Sequence, residues 1–251
     1  MMPTATITRT LPRSGTIFPE QLHALWQDGF LIVDDFLDSR VIGDTLGAVE
    51  SLRADTQSSR VRRGIVFARR NLLELEFVRA LIELPQVRKL VDAITPGLTA
   101  VRAILFDKNG AANWTVPWHQ DRSIAVRQRI DIAGFGPWST KAGVVHVQPP
   151  LEILRQMLTL RVHLDPCGID NGPLRVIAGS HRRLLAPSEV EDLAKGEQFA
   201  CVTEAGGLLL MRPLILHASS PARNPSHRRV IHIEFGPPSL PGGLCWAMHV
   251  G

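Results

Sequence analysis

The stretch Val116 to Ser123, VPWHQDRS, sets an imidazole at His119 and a carboxylate at Asp121 with one residue between them. In a strand, residues i and i+2 point to the same side, so this pair can offer two ligands to one ion. A second histidine from a facing strand would complete a two-histidine, one-carboxylate facial triad. That donor set leaves three positions open on iron, which suits a chelating cosubstrate and O₂. Taken alone the pair is weak evidence, because nine histidines in 251 residues give roughly half an H-x-D by chance. The chain holds another, His163-Leu164-Asp165, and an H-x-E at His232-Ile233-Glu234.

The order of the strands separates these pairs. In a double-stranded β-helix, an H-x-D on the second core strand and a distal histidine on the seventh have four strands between them. His217 ends the apolar run LLLMRPLIL, and four β-rich runs lie between it and His119: 157–165, 173–178, 199–203 and 207–211. From His163 there are only three. His163 sits mid-strand ahead of the Asp165-Pro166 turn, so it reads as a core histidine. His232 and Glu234 follow the distal histidine and read as barrel wall, with side chains able to face a cavity. Arg228 lies eleven residues after His217, at the head of the next strand. A planar guanidinium there suits one carboxylate of a dicarboxylic acid, and the Ser226 hydroxyl can add a hydrogen bond.

These residues need a scaffold of short strands. Runs near 100–107, 118–124, 157–165, 173–178, 199–203, 207–211, 214–218 and 229–235 are β-prone and separated by turn residues. Asp170-Asn171-Gly172 is a hairpin signal, since a type I′ turn needs positive φ at both central positions. Ahead of these strands the pattern is helical. Leu22, Leu25 and Trp26 share a helix face that Gly29 ends, and FLIV follows as a strand. A second helix is expected from Ser39 to about Arg53, and Pro85 divides 77–94 into two short helices. The class is therefore an all-β core with flanking helices (α+β): a double-stranded β-helix, or cupin-like jelly roll, with an N-terminal helical layer. One domain over 16–251 follows a loosely ordered tail at 1–15. Residues 127–150 are rich in Gly and Pro yet hold Phe135, Trp138 and Val144-Val145, which marks an inserted lid-like loop.

Bulk properties exclude several classes. No apolar run is long enough to span a membrane, and the first residues lack the apolar core of a secretory signal. Cys167, Cys201 and Cys245 show no C-x-x-C spacing, so neither disulfides nor a thiolate zinc site are expected, and a cytoplasmic setting follows. The net charge of +4 is largely arginine, with a basic run RVRRGIVFARR at 60–70. Tyrosine is absent and no stacking platform accompanies that run, so its arginines fit an anionic small molecule better than a nucleic acid.

With His119-Gln120-Asp121, His217 and Arg228 assembled, the chain resembles the phytanoyl-CoA dioxygenase family of Fe(II)- and 2-oxoglutarate-dependent oxygenases. GFLIVDDFL, WHQD, NGPLRVIAGSH, GGLLLMRPLILHASS and the pattern Asn224, Ser226, Arg228 carry the likeness. The resemblance implies that His119, Asp121 and His217 bind Fe(II) and that Arg228 holds the distal carboxylate of 2-oxoglutarate. O₂ would be consumed, succinate and CO₂ released, and a small molecule hydroxylated or desaturated. Lys108 could reach the cosubstrate. Arg69, Arg70 and Asn71 stand where related enzymes contact substrate or cosubstrate, Trp138 could cover the pocket, and His181 would bond backbone. The chain departs from the family at Arg161, where an aromatic is common, and in the length of 127–150. Asp121 is not the Gly or Ala of related halogenases, which disfavours halogenation. Two other readings share these ligands: a cupin-like metalloenzyme that does not use 2-oxoglutarate, and a non-catalytic binding protein of the same fold.

Overall fold

The computed structural model describes residues 16–55 and 57–251. The tail expected at 1–15 lies outside them. Helix α1 (Pro19–Asp28) begins with proline in its first turn, where the missing N–H costs nothing, and Gln21 Oε1 accepts from the Phe18 amide at 2.9 Å. It ends at Gly29, φ 85°, where a Cβ would overlap the His181 ring. Leu25 is buried as expected, but Trp26 is not part of the core. Its indole lies outside, stacked under the Arg212 guanidinium at 4.4 Å, because a cation over the ring face stabilises it there.

Strand β1 (Phe30–Val33) and helix α2 (Ser39–Glu50) follow, α2 capped by Asp38 accepting from the Val41 amide at 2.9 Å. The basic run forms a hairpin that the sequence does not announce, β2 (Ser59–Arg62) and β3 (Ile65–Arg69). Its polar alternation matches solvent on one side, so no apolar pattern marks it. Helices α3 (Glu76–Ile82) and α4 (Pro85–Ile94) divide at Pro85 as expected.

The core strands are β4 (Thr99–Lys108) and β5 (Val116–His119). Between them and the rest of the core lies an insertion: β6 (Ile124–Val126), β7 (Trp138–Lys141), β8 (Val144–Val147) and helix α5 (Leu151–Gln156). The core resumes with β9 (Leu158–His163) and β10 (Leu174–Ile177), then helix α6 (Pro187–Leu193). It closes with β11 (Phe199–Cys201), β12 (Leu208–Met211), β13 (Leu216–Ser219) and β14 (Arg228–Gly236). One sheet runs β1-β12-β9-β14-β4-β3-β2 and the other β11-β10-β13-β5. The eight strands β4, β5 and β9–β14 thus divide four and four between these two sheets, which is the expected jelly roll.

Alternation along β9 and β14 sorts the side chains. Leu158, Leu160, Val162, Ile231, Ile233 and Phe235 pack with Leu81, Leu90 and Val91 of the helical layer. The intervening Arg161, His163, Arg228, His232 and Glu234 point to the opposite face, into the barrel. The outer faces of β9 and β14 thus bury their apolar side chains against the helices and leave their inner faces to polar groups.

Three local expectations differ from the structure. Asp170-Asn171-Gly172 does not close a hairpin, because β9 and β10 belong to different sheets. Ile169–Asn171 form a 3₁₀ turn, and Gly172 (φ 61°) carries the chain across the barrel. A Cβ there would lie 2.6 Å from the Ser220 carbonyl oxygen. The strand expected over 118–124 breaks after His119. Residues 127–150 are not a bare loop: β7 and β8 pair with β6 in a small antiparallel sheet.

Candidate metal centre

His119 ends β5 and His217 begins the paired segment of β13, and the two are register partners. Their ring centroids lie 4.2 Å apart. Asp121 stands beyond the strand, so strand alternation does not aim it. Its amide donates to the Pro213 carbonyl at 3.1 Å, which bends the chain back toward His217. The buried Gln120 side chain holds that bend. Its Nε2 donates to the carbonyls of Leu214 (2.7 Å) and Arg183 (2.9 Å), and its Oε1 accepts from the Leu185 amide (2.9 Å). With Gln120 anchored on one side, Asp121 is left to face the histidines.

Asp121 Oδ1 lies 3.8 Å from His119 Nε2, and Oδ2 lies 3.7 Å from His217 Nε2. One donor atom from each residue falls within 4.8 Å of the others, a spacing that can close around one ion. Each histidine uses Nδ1 on a carbonyl two residues upstream: His119 on Pro117 (2.8 Å) and His217 on Ile215 (2.9 Å). Those bonds place the proton on Nδ1 and leave Nε2 bare, as metal ligation requires. Burial pushes His217 down to about 4, more than Asp121 restores, so its imidazole is neutral at physiological pH. Desolvation acts to raise Asp121, but His217, His232, His119 and Arg102 outweigh it and hold the carboxyl down at about 2. His217 and Asp121 are thus in the protonation states that bind a divalent cation.

Behind this triad the barrel contains a second arrangement. Arg228 and Lys108 are register partners on β14 and β4, and both are buried, Lys108 completely. Arg161, on the neighbouring strand β9, is buried beside them. Among the described residues none of the three has a carboxylate partner. Lys108 Nζ donates to Ser219 Oγ (3.1 Å) and the Ser220 carbonyl (2.7 Å), and Arg228 donates to the Gly172 carbonyl. Nε of Arg161, Nε of Arg228 and both ring nitrogens of His163 are buried without partners among the described residues. Burial, reinforced by Arg228, pushes Lys108 down to about 7 and Arg161 to about 10. Three buried, uncompensated cations are costly to a protein unless an anion joins them. A dicarboxylate chelating a metal on the triad fits this cradle, and the donor set fits iron.

The remaining candidates divide clearly. His163 is buried but faces the barrel interior with neither ring nitrogen bonded among the described residues, and Asp165 is taken by Arg229, whose Nε (2.8 Å) and Nη2 (2.7 Å) form a bidentate pair with it. His181 bonds the Trp26 carbonyl at 3.1 Å. Ser226 is not brought into the cradle: it is exposed and accepts from Asn171 Nδ2 at 3.0 Å. Arg70 and Asn71 line a cavity of about 220 Å³ beside the centre, with Arg102, Lys141, Val144 and His146. Trp138 is not among its lining residues. The indole packs with Val126 and Val147 under the insertion sheet, beneath the Arg129 guanidinium at 5.6 Å. His119 also borders a more open groove of about 690 Å³ against α6. Sequence reasoning missed Arg161, Arg102, Lys141 and His146. Only alternation with His163 could have aimed Arg161 inward, and the others need the fold of the insertion.

The phytanoyl-CoA dioxygenase family model matches residues 25–230. The chain belongs to this family. It is a non-haem iron, 2-oxoglutarate-dependent oxygenase, with Fe(II) as its metal and 2-oxoglutarate as its cosubstrate. Comparison with curated protein sequences returns no match. Among solved structures, the fold is similar to AviO1 from Streptomyces viridochromogenes Tue57 (24% identity, 93% of this chain and 99% of that one, TM-score 0.63). It is also similar to EctD from S. alaskensis with 2-oxoglutarate and 5-hydroxyectoine (17% identity, 88% and 76%, TM-score 0.69). A third is the α-ketoglutarate-dependent carbocyclase SnoK of nogalamycin biosynthesis (12% identity, 95% and 92%, TM-score 0.64). No helix among the described residues is long and apolar enough to cross a membrane.

Proposed function

We propose that this oxygenase hydroxylates a small molecule that carries an acidic group, with 2-oxoglutarate anchored in the barrel and the substrate under the insertion. The observation that carries the cosubstrate half is the trio Lys108, Arg161 and Arg228, buried without carboxylates behind the His119, Asp121, His217 triad. In this reading the triad holds Fe(II), which supplies the oxidising chemistry when bound with 2-oxoglutarate and O₂. Arg228 takes the distal carboxylate through its planar fork. Lys108 adds charge from the adjacent strand. Ser226 acts through Asn171 on the turn whose Gly172 carbonyl holds Arg228, and does not touch the cosubstrate.

On the substrate side, Arg70 and Asn71 line the cavity and β8 covers it, so residues 127–150 serve as a lid within a single domain over 16–251. Trp138 supports that lid from beneath. Closing the cavity excludes water from the reacting centre and strengthens each charge contact inside it. Anaerobic addition of Fe(II) and 2-oxoglutarate gives a visible metal-to-ligand charge-transfer band. With O₂ and substrate, succinate release is coupled to a product that gains one oxygen. A product that instead loses two hydrogens makes the enzyme a desaturase. Absence of both the band and metal uptake overturns the reading.

A further inference from the structure

His146 repeats the Nδ1 bonding of His119 and His217 but belongs to no metal-ligand set among the described residues. Its Nδ1 bonds the Val144 carbonyl two residues upstream at 2.9 Å, which leaves Nε2 as a bare acceptor. The residue is 2% exposed, and Nε2 has no partner among the described residues. It lies on β8 and lines the cavity of about 220 Å³. Burial pushes it down to about 4, so it is neutral and able to accept a hydrogen bond at any working pH. A buried acceptor without a donor costs stability unless a ligand or water supplies one.

The same cavity has an excess of positive charge. Arg102 is neutralised by Glu234 at 2.9 Å. Arg70 has a buried Nη1 without a partner, and Lys141, at the mouth, donates to Ser123 Oγ at 3.2 Å. Neither is ion-paired among the described residues. The one carboxylate in the lining is Glu74, exposed at the rim. Apart from Asn71, the remaining wall is apolar, with Leu73, Val101, Ala103, Ala125, Val144 and Met248. The cavity is electrostatically in touch with the metal centre, since Asp121 acts on Lys141 and Arg102 acts on Asp121. The groove against α6 lacks these features: none of its lining residues has a buried polar atom without a partner.

We infer that this cavity selects a small hydroxy acid, its acidic group held by Arg70 and Lys141 and its hydroxyl donating to His146 Nε2. The inference rests on the oxygenase reading and sharpens it to a substrate class. Arg102 is kept by Glu234 for the wall, the apolar residues hold the carbon skeleton, and His146 distinguishes a hydroxylated acid from a plain one.

Calorimetric titration of the Fe(II)- and 2-oxoglutarate-loaded protein under nitrogen tests this with three probes: 3-hydroxyhexanoate, hexanoate and 1,3-hexanediol. The hydroxy acid is expected to bind about tenfold more tightly than hexanoate, with no saturable binding of the diol. Arg70→Met weakens both acids about tenfold. His146→Phe brings the hydroxy acid to the level of hexanoate and leaves hexanoate unchanged. Diol binding equal to that of the acids, equal weakening of both acids by His146→Phe, or no saturable binding of either acid overturns the inference. The visible charge-transfer band of the same samples reports separately on the cosubstrate reading, and the calorimetry does not depend on it.

Discussion

His119 and His217 are Cα register partners on β5 and β13, with ring centroids 4.2 Å apart and each Nδ1 tied to the carbonyl two residues before it. Two imidazoles are thereby fixed in ring orientation and in tautomer before any metal arrives. Asp121 completes the set only through the bend that Gln120 anchors.

Gln120→Ala removes both ends of that anchor and lets the Asp121 segment relax away from the histidines. Residues that orient a metal ligand contribute about 10- to 100-fold to metal affinity, and a loss of that size is expected here. Fe(II) titration with far-UV circular dichroism alongside checks it. An affinity within twofold of the parent, in a folded protein, would remove Gln120 from the site.

In the proposed reading Arg228→Ala leaves the cosubstrate's distal carboxylate without its fork, while it relieves the repulsion Arg228 exerts on Lys108 and Arg161. A loss of about 2–5 kcal/mol follows for a buried charge pair that loses one partner, seen as a rise in the 2-oxoglutarate KM. Arg228→Lys restores charge without the planar fork and should recover only part of it. Activity untouched by Arg228→Ala would favour a cupin-like metalloenzyme that uses another cosubstrate.

Lys108 gives two pH effects of opposite sign. Burial and Arg228 hold it at about 7 in the folded protein, against 10.5 for an ordinary lysine. Between those values the unfolded chain binds the extra proton, so stability of the cosubstrate-free protein rises with pH across that window. Binding of 2-oxoglutarate favours the protonated lysine, so its affinity falls as pH rises above about 7. Melting temperatures with and without 2-oxoglutarate, compared with Lys108→Met, separate the two. Identical pH profiles for parent and variant would show that Lys108 does not face the cosubstrate.

Gly172→Ala should act on the cosubstrate from a distance. The left-handed φ and the 2.6 Å approach to Ser220 leave no room for a methyl group, and the Gly172 carbonyl is the acceptor for Arg228. Strain of about 1–3 kcal/mol is expected at such a position. Reduced thermal stability together with a raised 2-oxoglutarate KM is the outcome; a lowered melting temperature with KM unchanged would confine its role to folding.

The linear order of the residues carried much of this protein. His119, Asp121, His217 and Arg228 could be named because strand order and residue spacing are one-dimensional properties that a jelly roll preserves. Pro85, Gly29 and the alternating runs of β4, β9 and β14 likewise act through backbone geometry that is local to the chain. What depended on contacts distant in sequence was not legible. Asp121 lies outside the strand and is aimed by Gln120 reaching carbonyls at 183 and 214. Gly172 serves a crossing between sheets, where the Asp-Asn-Gly signal suggested a hairpin, because a positive φ fits both. Arg161 joins Lys108 and Arg228 only when β9, β14 and β4 lie side by side, and His146 gains an empty acceptor only when the insertion folds over the β4 edge. The sequence by itself determined which atoms could bind iron. The tertiary structure decided which charges were left buried without partners, because burial and pairing are properties of neighbours in space.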